Sequence, residues 1–165
     1  MSHPAPLLIV LATEADTDAL GRLLAVHLHP GDTLLLGGPI GAGKSHLARA
    51  VIRQRLGRME DVPSPSFTLV QTYEHPAGDI WHADLYRLSH PDEVMELGLE
   101  DAFASAICLV EWPDRLGRLA PIDAIHLTLS HHGDGRLAEI RFAGRGALRR
   151  ALAHFCPPDA SQADD

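Results

Sequence analysis

Eight residues constrain this chain more than any other feature: GPIGAGKS, Gly38 to Ser45, satisfies the pattern G-x-x-x-x-G-K-[ST]. Its flanks turn the pattern into evidence. Thr33 to Leu36 is a short apolar run of strand length. After Ser45 the apolar positions Leu47, Ala48, Val51, Ile52 and Leu56 keep helical spacing up to Gly57, where a glycine cap ends the helix. Strand, glycine loop and helix in that order make a phosphate cradle. Gly38, Gly41 and Gly43 permit backbone conformations that aim N–H groups at an anion, and the helix adds the positive end of its dipole. Lys44 then reaches the β and γ phosphates as a point charge, and the Ser45 hydroxyl serves Mg²⁺. Ala42 within the loop and His46 at the start of the helix complete the stretch expected to contact nucleotide. The competing reading is a glycine-rich helix cap that holds no ligand.

Composition sharpens the motif. Of fourteen basic residues thirteen are Arg and one, Lys44, is Lys; Asn is absent. Coding bias toward Arg explains the totals, yet the one Lys stands where a compact ammonium fits and a planar fork does not. Without Asn, and with its Lys already used, the chain cannot carry the guanine-reading N-K-x-D signature. An adenine nucleotide is therefore favoured, and with it ATP hydrolysis or transfer.

A length of 165 residues, 45% of them hydrophobic, suits one core and one domain over residues 1–156. The tail from residue 157, PPDASQADD, has too little apolar content to order. A net charge of −8 is the wrong sign for a free-standing nucleic-acid binder. The longest apolar stretch, LLIVLA from Leu7, is too short to span a membrane, and no Lys or Arg precedes it as in a signal peptide. A cytoplasmic protein is expected. Cys108 and Cys156 are too few and too distant for a CxxC pair or a zinc site, so both read as free thiols.

The remaining pattern supplies the other elements. An acidic run opens a helix from about Asp16 to His29, with Leu20, Leu23, Leu24 and Leu28 as its apolar stripe. Phe67 to Tyr73 and Ile80 to Leu85 read as strands of a hairpin, with EHPAGD as the turn. One or two short helices, interrupted at Gly98, fill Pro91 to Ala106, and Ile107 to Val110 follows as a buried strand. Ile125 to Leu129 and Leu137 to Phe142 form a second hairpin, and a last helix runs from Ala147 to Phe155. The expected class is α/β: a P-loop NTPase-like three-layer sandwich, with a mixed, mostly parallel sheet, antiparallel hairpins and flanking helices.

Magnesium held between phosphates needs one or two protein carboxylates, and open parallel sheets place ligands at the carboxyl ends of their strands. Glu111 follows ICLV as the first polar residue of its strand end, and Asp84 ends the run IWHAD. Each also reads as a strand-end cap or a surface ion pair. His82 shares a face of its strand with Asp84 and reads as a partly buried, hydrogen-bonding histidine. Trp81 reads as core, and Trp112 as either core or exposed in the site. Arg136, Arg141, Arg145, Arg149 and Arg150 gather near the C-terminus, as a solvated basic face or as a docking surface for tRNA or acidic partner residues. His131 and His132 fall in a hairpin turn and carry no readable function.

Five segments in this order and spacing resemble the bacterial ATPase family that assists threonylcarbamoyladenosine modification of tRNA, the TsaE family. They are LLLGGPIGAGKSHLARAV, VPSPSFTLVQTY from Val62, WHADLYRL from Trp81, ELGLED from Glu96 and LVEWPDRL from Leu109, within roughly Leu20 to Leu129. The resemblance implies a nucleotide-sensing switch at Ser64 to Thr68, with Ser66 and Thr68 at the nucleotide. It also implies catalytic roles for Lys44, Asp84 and Glu111, magnesium at Ser45, Asp84 and Glu111, and Trp112 beside the nucleotide. Pro39 replaces the Asp common in the family, Ser45 the usual Thr, and Ser66 a common Thr. Ser45 retains the hydroxyl that magnesium needs. The implied activity is a Mg²⁺-dependent ATPase, weak alone, that drives a two-subunit transferase of TsaB and TsaD type adding threonylcarbamoyl to N6 of tRNA adenosine 37. On this reading tRNA is met only within the complex and no membrane is involved. The alternatives are a small-molecule kinase and a nucleotide-gated binding module.

Overall fold

Seven strands share one sheet in the order β1-β7-β6-β2-β5-β4-β3. The computed structural model describes residues 5–159. The strands are β1 (Leu7–Leu11), β2 (Thr33–Gly37), β3 (Val70–Tyr73), β4 (Ile80–Asp84), β5 (Ile107–Glu111), β6 (Ile125–His132) and β7 (Gly135–Arg141). β2 pairs in parallel with both β5 and β6, and β4 with β5. β7 runs antiparallel to β6 and β1, and β3 antiparallel to β4. Five strands thus point one way, with β3 and β7 opposed, as expected of a mostly parallel sheet with two hairpins. β1 occupies the LLIVLA stretch, which the sequence reading leaves without an element.

Helices α1 (Glu14–His27) and α2 (Lys44–Leu56) follow β1 and β2, and α5 (Gly146–Ala153) is the last element among the described residues. Their apolar faces meet Ile9, Leu34, Leu36, Leu109, Ile125 and Ile140 of the sheet in one core. On the opposite face α3 (Glu93–Glu96), α4 (Leu99–Ser105) and a 3-10 segment, Pro113–Leu119, cover Leu35, Ala83, Cys108 and Val110. These are the three layers of a P-loop NTPase-like fold. Alternate residues of β2 feed opposite cores, which is why its TLLL run is apolar without interruption. Each fully buried leucine there contributes about 1.5–3 kcal/mol.

Helix ends follow local chemistry. Thr13 caps α1 by accepting the Asp16 amide, so the helix begins two residues before the expected start. Gly57, at φ 72°, ends α2 as expected. Gly98, at φ 81°, separates α3 from α4. Gly21 lets α1 approach α2: a Cβ there would stand 2.5 Å from the Ala50 Cβ.

Helices α1 and α5 each end two residues earlier than expected, at His27 and Ala153, and both hairpins differ as well. β3 starts at Val70, because Leu69 takes a left-handed conformation at φ 67° and Phe67 lies 84% exposed in a turn. The second hairpin is tighter than expected, with His132 paired to Gly135 across a two-residue turn. Cys108 is buried and Cys156 exposed, both free, and burial pushes the Cys108 thiol up to about 12. Of the tail expected to be disordered, residues 160–165 lie outside the described residues. Asp159 docks on the start of α1, where its amide donates to Asp16 Oδ1 and its carboxylate accepts from Thr13 Oγ1, both at 2.8 Å.

Candidate functional site

The parallel strands bring the predicted residues to one edge of the sheet. Register places Leu36 of β2 beside Glu111 of β5, and Glu111 beside Asp84 of β4. The chain leaves β2 into the glycine loop at this edge and returns as α2. Gly38 sits at φ 128°, and a Cβ there would be driven into the Leu129 carbonyl oxygen of β6. Gly41 and Gly43 are also left-handed, at 80° and 99°. No side chain caps the first turn of α2, so its leading N–H groups face the loop interior without a side-chain acceptor.

The charged groups behind the loop are buried, and half-buried hydroxyls bind them. Lys44 is 5% exposed; its Nζ donates to the Gly38 carbonyl at 2.5 Å and lies 3.4 Å from the centre of the Trp112 ring. Burial holds the Lys44 ammonium below its usual range, while the nearby Glu111 and Asp84 carboxylates oppose that shift. Ser45 Oγ donates to Glu111 Oε1 at 2.9 Å. Glu111 Oε2 lies 2.7 Å from His82 Nε2. Asp84 is 5% exposed and accepts from Ser66 Oγ and the Tyr86 amide, both at 3.1 Å.

Trp112 takes a left-handed conformation at φ 58° directly after β5, which turns its ring back over the strand end. Tyr86 packs on it with centroids 5.0 Å apart. The result is a cleft of about 550 Å³ lined by Lys44, Ser45, Ser66, Asp84, Glu111 and Trp112, among others. A cationic floor, a hydroxyl beside a carboxylate and an aromatic wall suit a phosphorylated aromatic ligand.

The sequence matches the family described as "Threonylcarbamoyl adenosine biosynthesis protein TsaE" over residues 11–138. The chain belongs to the TsaE family. A TsaE from Rickettsia bellii is 38% identical over 120 residues, which cover 73% of this chain and 83% of that protein. A TsaE from Bacillus subtilis is 33% identical over 132 residues, covering 79% and 81%. Both carry the name tRNA threonylcarbamoyladenosine biosynthesis protein. The crystal structure of YdiB from Bacillus subtilis superposes with a TM-score of 0.75 at 27% identity, covering 99% of this chain and all of YdiB. A role in tRNA threonylcarbamoyladenosine biosynthesis follows from membership.

Within this TsaE-family site, the residues singled out from sequence are not all equally placed. Gly41, Gly43, Lys44, Ser45, His46, Ser66, Asp84, Glu111 and Trp112 line the cleft. Ala42 is buried in the loop. His46 also faces α1, where its Nε2 lies 2.8 Å from Asp18 Oδ1. Thr68 is exposed, and its hydroxyl accepts from Gln71 Nε2 at 3.1 Å. Trp81 lies partly buried against the second core.

The arginine group separates into local contacts. Arg145 meets Asp32 at 2.6 Å, Arg141 meets Glu139 at 2.6 Å, and Arg149 donates to the Phe142 carbonyl at 2.8 Å. Arg136, read from sequence only as one of this basic group, has a place at the loop that sequence reasoning missed. From β7 its guanidinium donates to the carbonyls of Ala42 and Gly41 at 3.1 Å, holding the outer turn of the loop and lining the cleft. Its only sequence signal was its place on a hairpin that folds back beside the loop. Tyr86 was missed too, and stands two residues after Asp84 in the DLYRL segment.

Proposed function

We propose that this protein binds ATP with Mg²⁺ in the cleft above Lys44 and hydrolyses it in the cytoplasm. In this reading, hydrolysis drives repeated turnover of the two-subunit TsaB and TsaD type transferase that adds threonylcarbamoyl to N6 of tRNA adenosine 37. The observation that carries the reading is the cluster of buried Lys44 and Glu111 with half-buried Ser45, beneath a glycine loop whose helix amides have no side-chain cap.

The residues fit the nucleotide. The loop amides and the Lys44 ammonium bind the β and γ phosphates, and Arg136 keeps the loop's outer carbonyls turned away from them. Trp112 and Tyr86 exclude water from one wall of the cleft. Hydrolysis breaks the bond between the γ phosphorus and the β–γ bridging oxygen as water adds to that phosphorus. Lys44 offsets the charge that gathers on the departing oxygen.

The donor set also fits magnesium. Ser45 Oγ and Glu111 Oε1 already point at one another, with the buried Asp84 beside them. Among the described residues no cluster of three or more His, Cys, Asp and Glu forms a self-contained metal cage. A phosphate-bound magnesium needs only one or two carboxylates. Ser45, Glu111 and Asp84 would hold the ion, which supplies positive charge to the triphosphate. Among the described residues no helix is long and apolar enough to cross a membrane.

The test is a pull-down with the transferase subunits, with and without ATP, followed by a multiple-turnover modification assay on tRNA. ATP-dependent association and stimulated turnover are expected, both lost in Lys44→Ala. ATP-dependent phosphorylation of a metabolite acceptor would support the kinase reading instead. A Glu111→Ala protein that no longer hydrolyses ATP yet still supports modification would support the gated module.

A further inference from the structure

We infer that His82 is a positioning residue for Glu111, holding the carboxylate in the orientation in which it meets Ser45 and the metal. The inference rests on the magnesium-ATP reading above and extends it to a side chain that touches neither ligand.

His82 lies on β4 two residues before Asp84, and the pairing of β4 with β5 sets it opposite Leu109, diagonally behind Glu111. It is fully buried. Its Nε2 is 2.7 Å from Glu111 Oε2, while Glu111 Oε1 accepts from Ser45 Oγ at 2.9 Å. Each carboxylate oxygen is therefore gripped by one donor, from α2 on one side and from β4 on the other. Its torsions are fixed from both ends before any ligand arrives. A carboxylate has no proton to give, so Nε2 carries the hydrogen of this contact.

The ring's Nδ1 is buried and has no hydrogen-bond partner. An apolar side chain would satisfy the interior better, since a buried polar atom without a partner is destabilising. The ring's single polar contact, with the carboxylate, is what distinguishes histidine from leucine at this position. Groups that orient a metal-binding side chain in this way typically account for about 10 to 100-fold in metal affinity or activity.

The experiment uses the full chain saturated with a non-hydrolysable ATP analogue, and Mn²⁺ as the metal probe, titrated by paramagnetic resonance. His82→Leu is expected to weaken Mn²⁺ binding by about 10 to 100-fold while analogue affinity in EDTA stays that of the wild type. His82→Gln, whose Nε2 can donate to the same oxygen, is expected to restore most of the Mn²⁺ affinity. Wild-type Mn²⁺ affinity in His82→Leu would overturn the inference. Equal losses with and without metal would also overturn it, because they mark a merely structural residue.

Should either variant fail to fold, nitrogen NMR of the wild-type imidazoles still decides. A His82 with hydrogen on Nε2 supports the inference, and hydrogen on Nδ1 alone overturns it. A wild-type protein that binds no Mn²⁺ with the analogue overturns the magnesium-ATP reading and this inference together. Failure in the variants alone leaves that reading standing.

Discussion

The glycine loop and the segment from Val62 to Leu69 face the same cleft, but they are secured in opposite ways. The loop is tied to the interior: Gly38 packs on the Leu129 backbone, Arg136 binds two loop carbonyls, and Lys44 is buried against Gly38 and Trp112. The Val62 to Leu69 segment forms neither helix nor strand, and Phe67 at its tip is 84% exposed beneath the Arg87 guanidinium. Its ends are anchored, with Val62 buried in the first core and Leu69 packed on the second, while its middle has few polar links to the site. The Leu69 carbonyl accepts the Asp84 amide at 2.8 Å, and Ser66 Oγ donates to Asp84 Oδ2 at 3.1 Å. A region fixed by the core can hold charge in place without reorganising. A stretch whose tip is exposed and whose polar links to the site are few opens at lower free-energy cost and suits a response to ligand.

The strongest test of this contrast is Lys44→Ala. Removing the ammonium from a preformed cradle is expected to lower ATP hydrolysis by about 100-fold or more and to weaken ATP binding in calorimetry. Wild-type turnover in this variant would mean that the loop is only a helix cap. Glu111→Ala and Asp84→Ala come next, each reducing magnesium-dependent hydrolysis by at least about 10-fold, the loss that follows removal of a group orienting a metal ligand. Their stabilities should differ. Removing the Glu111 carboxylate strands the His82 Nε2 hydrogen at a fully buried site, at about 1–3 kcal/mol, whereas the side chain that donates to Asp84, Ser66, is half-buried and lines the cleft. Thermal unfolding should therefore place Glu111→Ala below Asp84→Ala. The reverse order would show that the segment side is the better secured.

A smaller signal comes from Trp112. Its ring carries the Lys44 ammonium at 3.4 Å, and a triphosphate would draw that charge away. In a Trp81→Phe background, which leaves Trp112 as the one tryptophan, emission should change on ATP addition. An unchanged spectrum would place the nucleotide elsewhere.

The same contrast explains what was legible in the sequence. The loop was readable because its requirements are local: glycine where φ is positive, lysine at the helix start, and an apolar strand before it. Glu111 and Asp84 were readable because a polar residue ending an apolar run marks the carboxyl end of a strand. Arg136 was not, since its contact with the loop spans more than ninety residues of sequence and depends on β7 folding back beside β6. His82 could be assigned a face but not a partner, because the pairing of β4 with β5 is set by tertiary packing. Phe67 to Leu69 reads as strand by composition. The left-handed turn at Leu69, closed by its amide on the Pro65 carbonyl at 2.7 Å, overrides that preference.

Ser66→Ala should have the smallest effect and divides the two regions most finely. It removes one partly buried hydrogen bond to Asp84, with a net contribution of about 0.5–1.5 kcal/mol. If that whole amount were expressed in the transition state, hydrolysis would fall by about tenfold at most. The loss should be felt chiefly where the segment responds, as a weaker stimulation of ATPase rate by the transferase subunits, with intrinsic hydrolysis nearly retained. A deficit as deep as that of Lys44→Ala would mean that Ser66 belongs to the rigid cradle. The contrast between a fixed loop and a loosely tethered segment would then fail at the one bond that joins the segment's side chains to the site's acids.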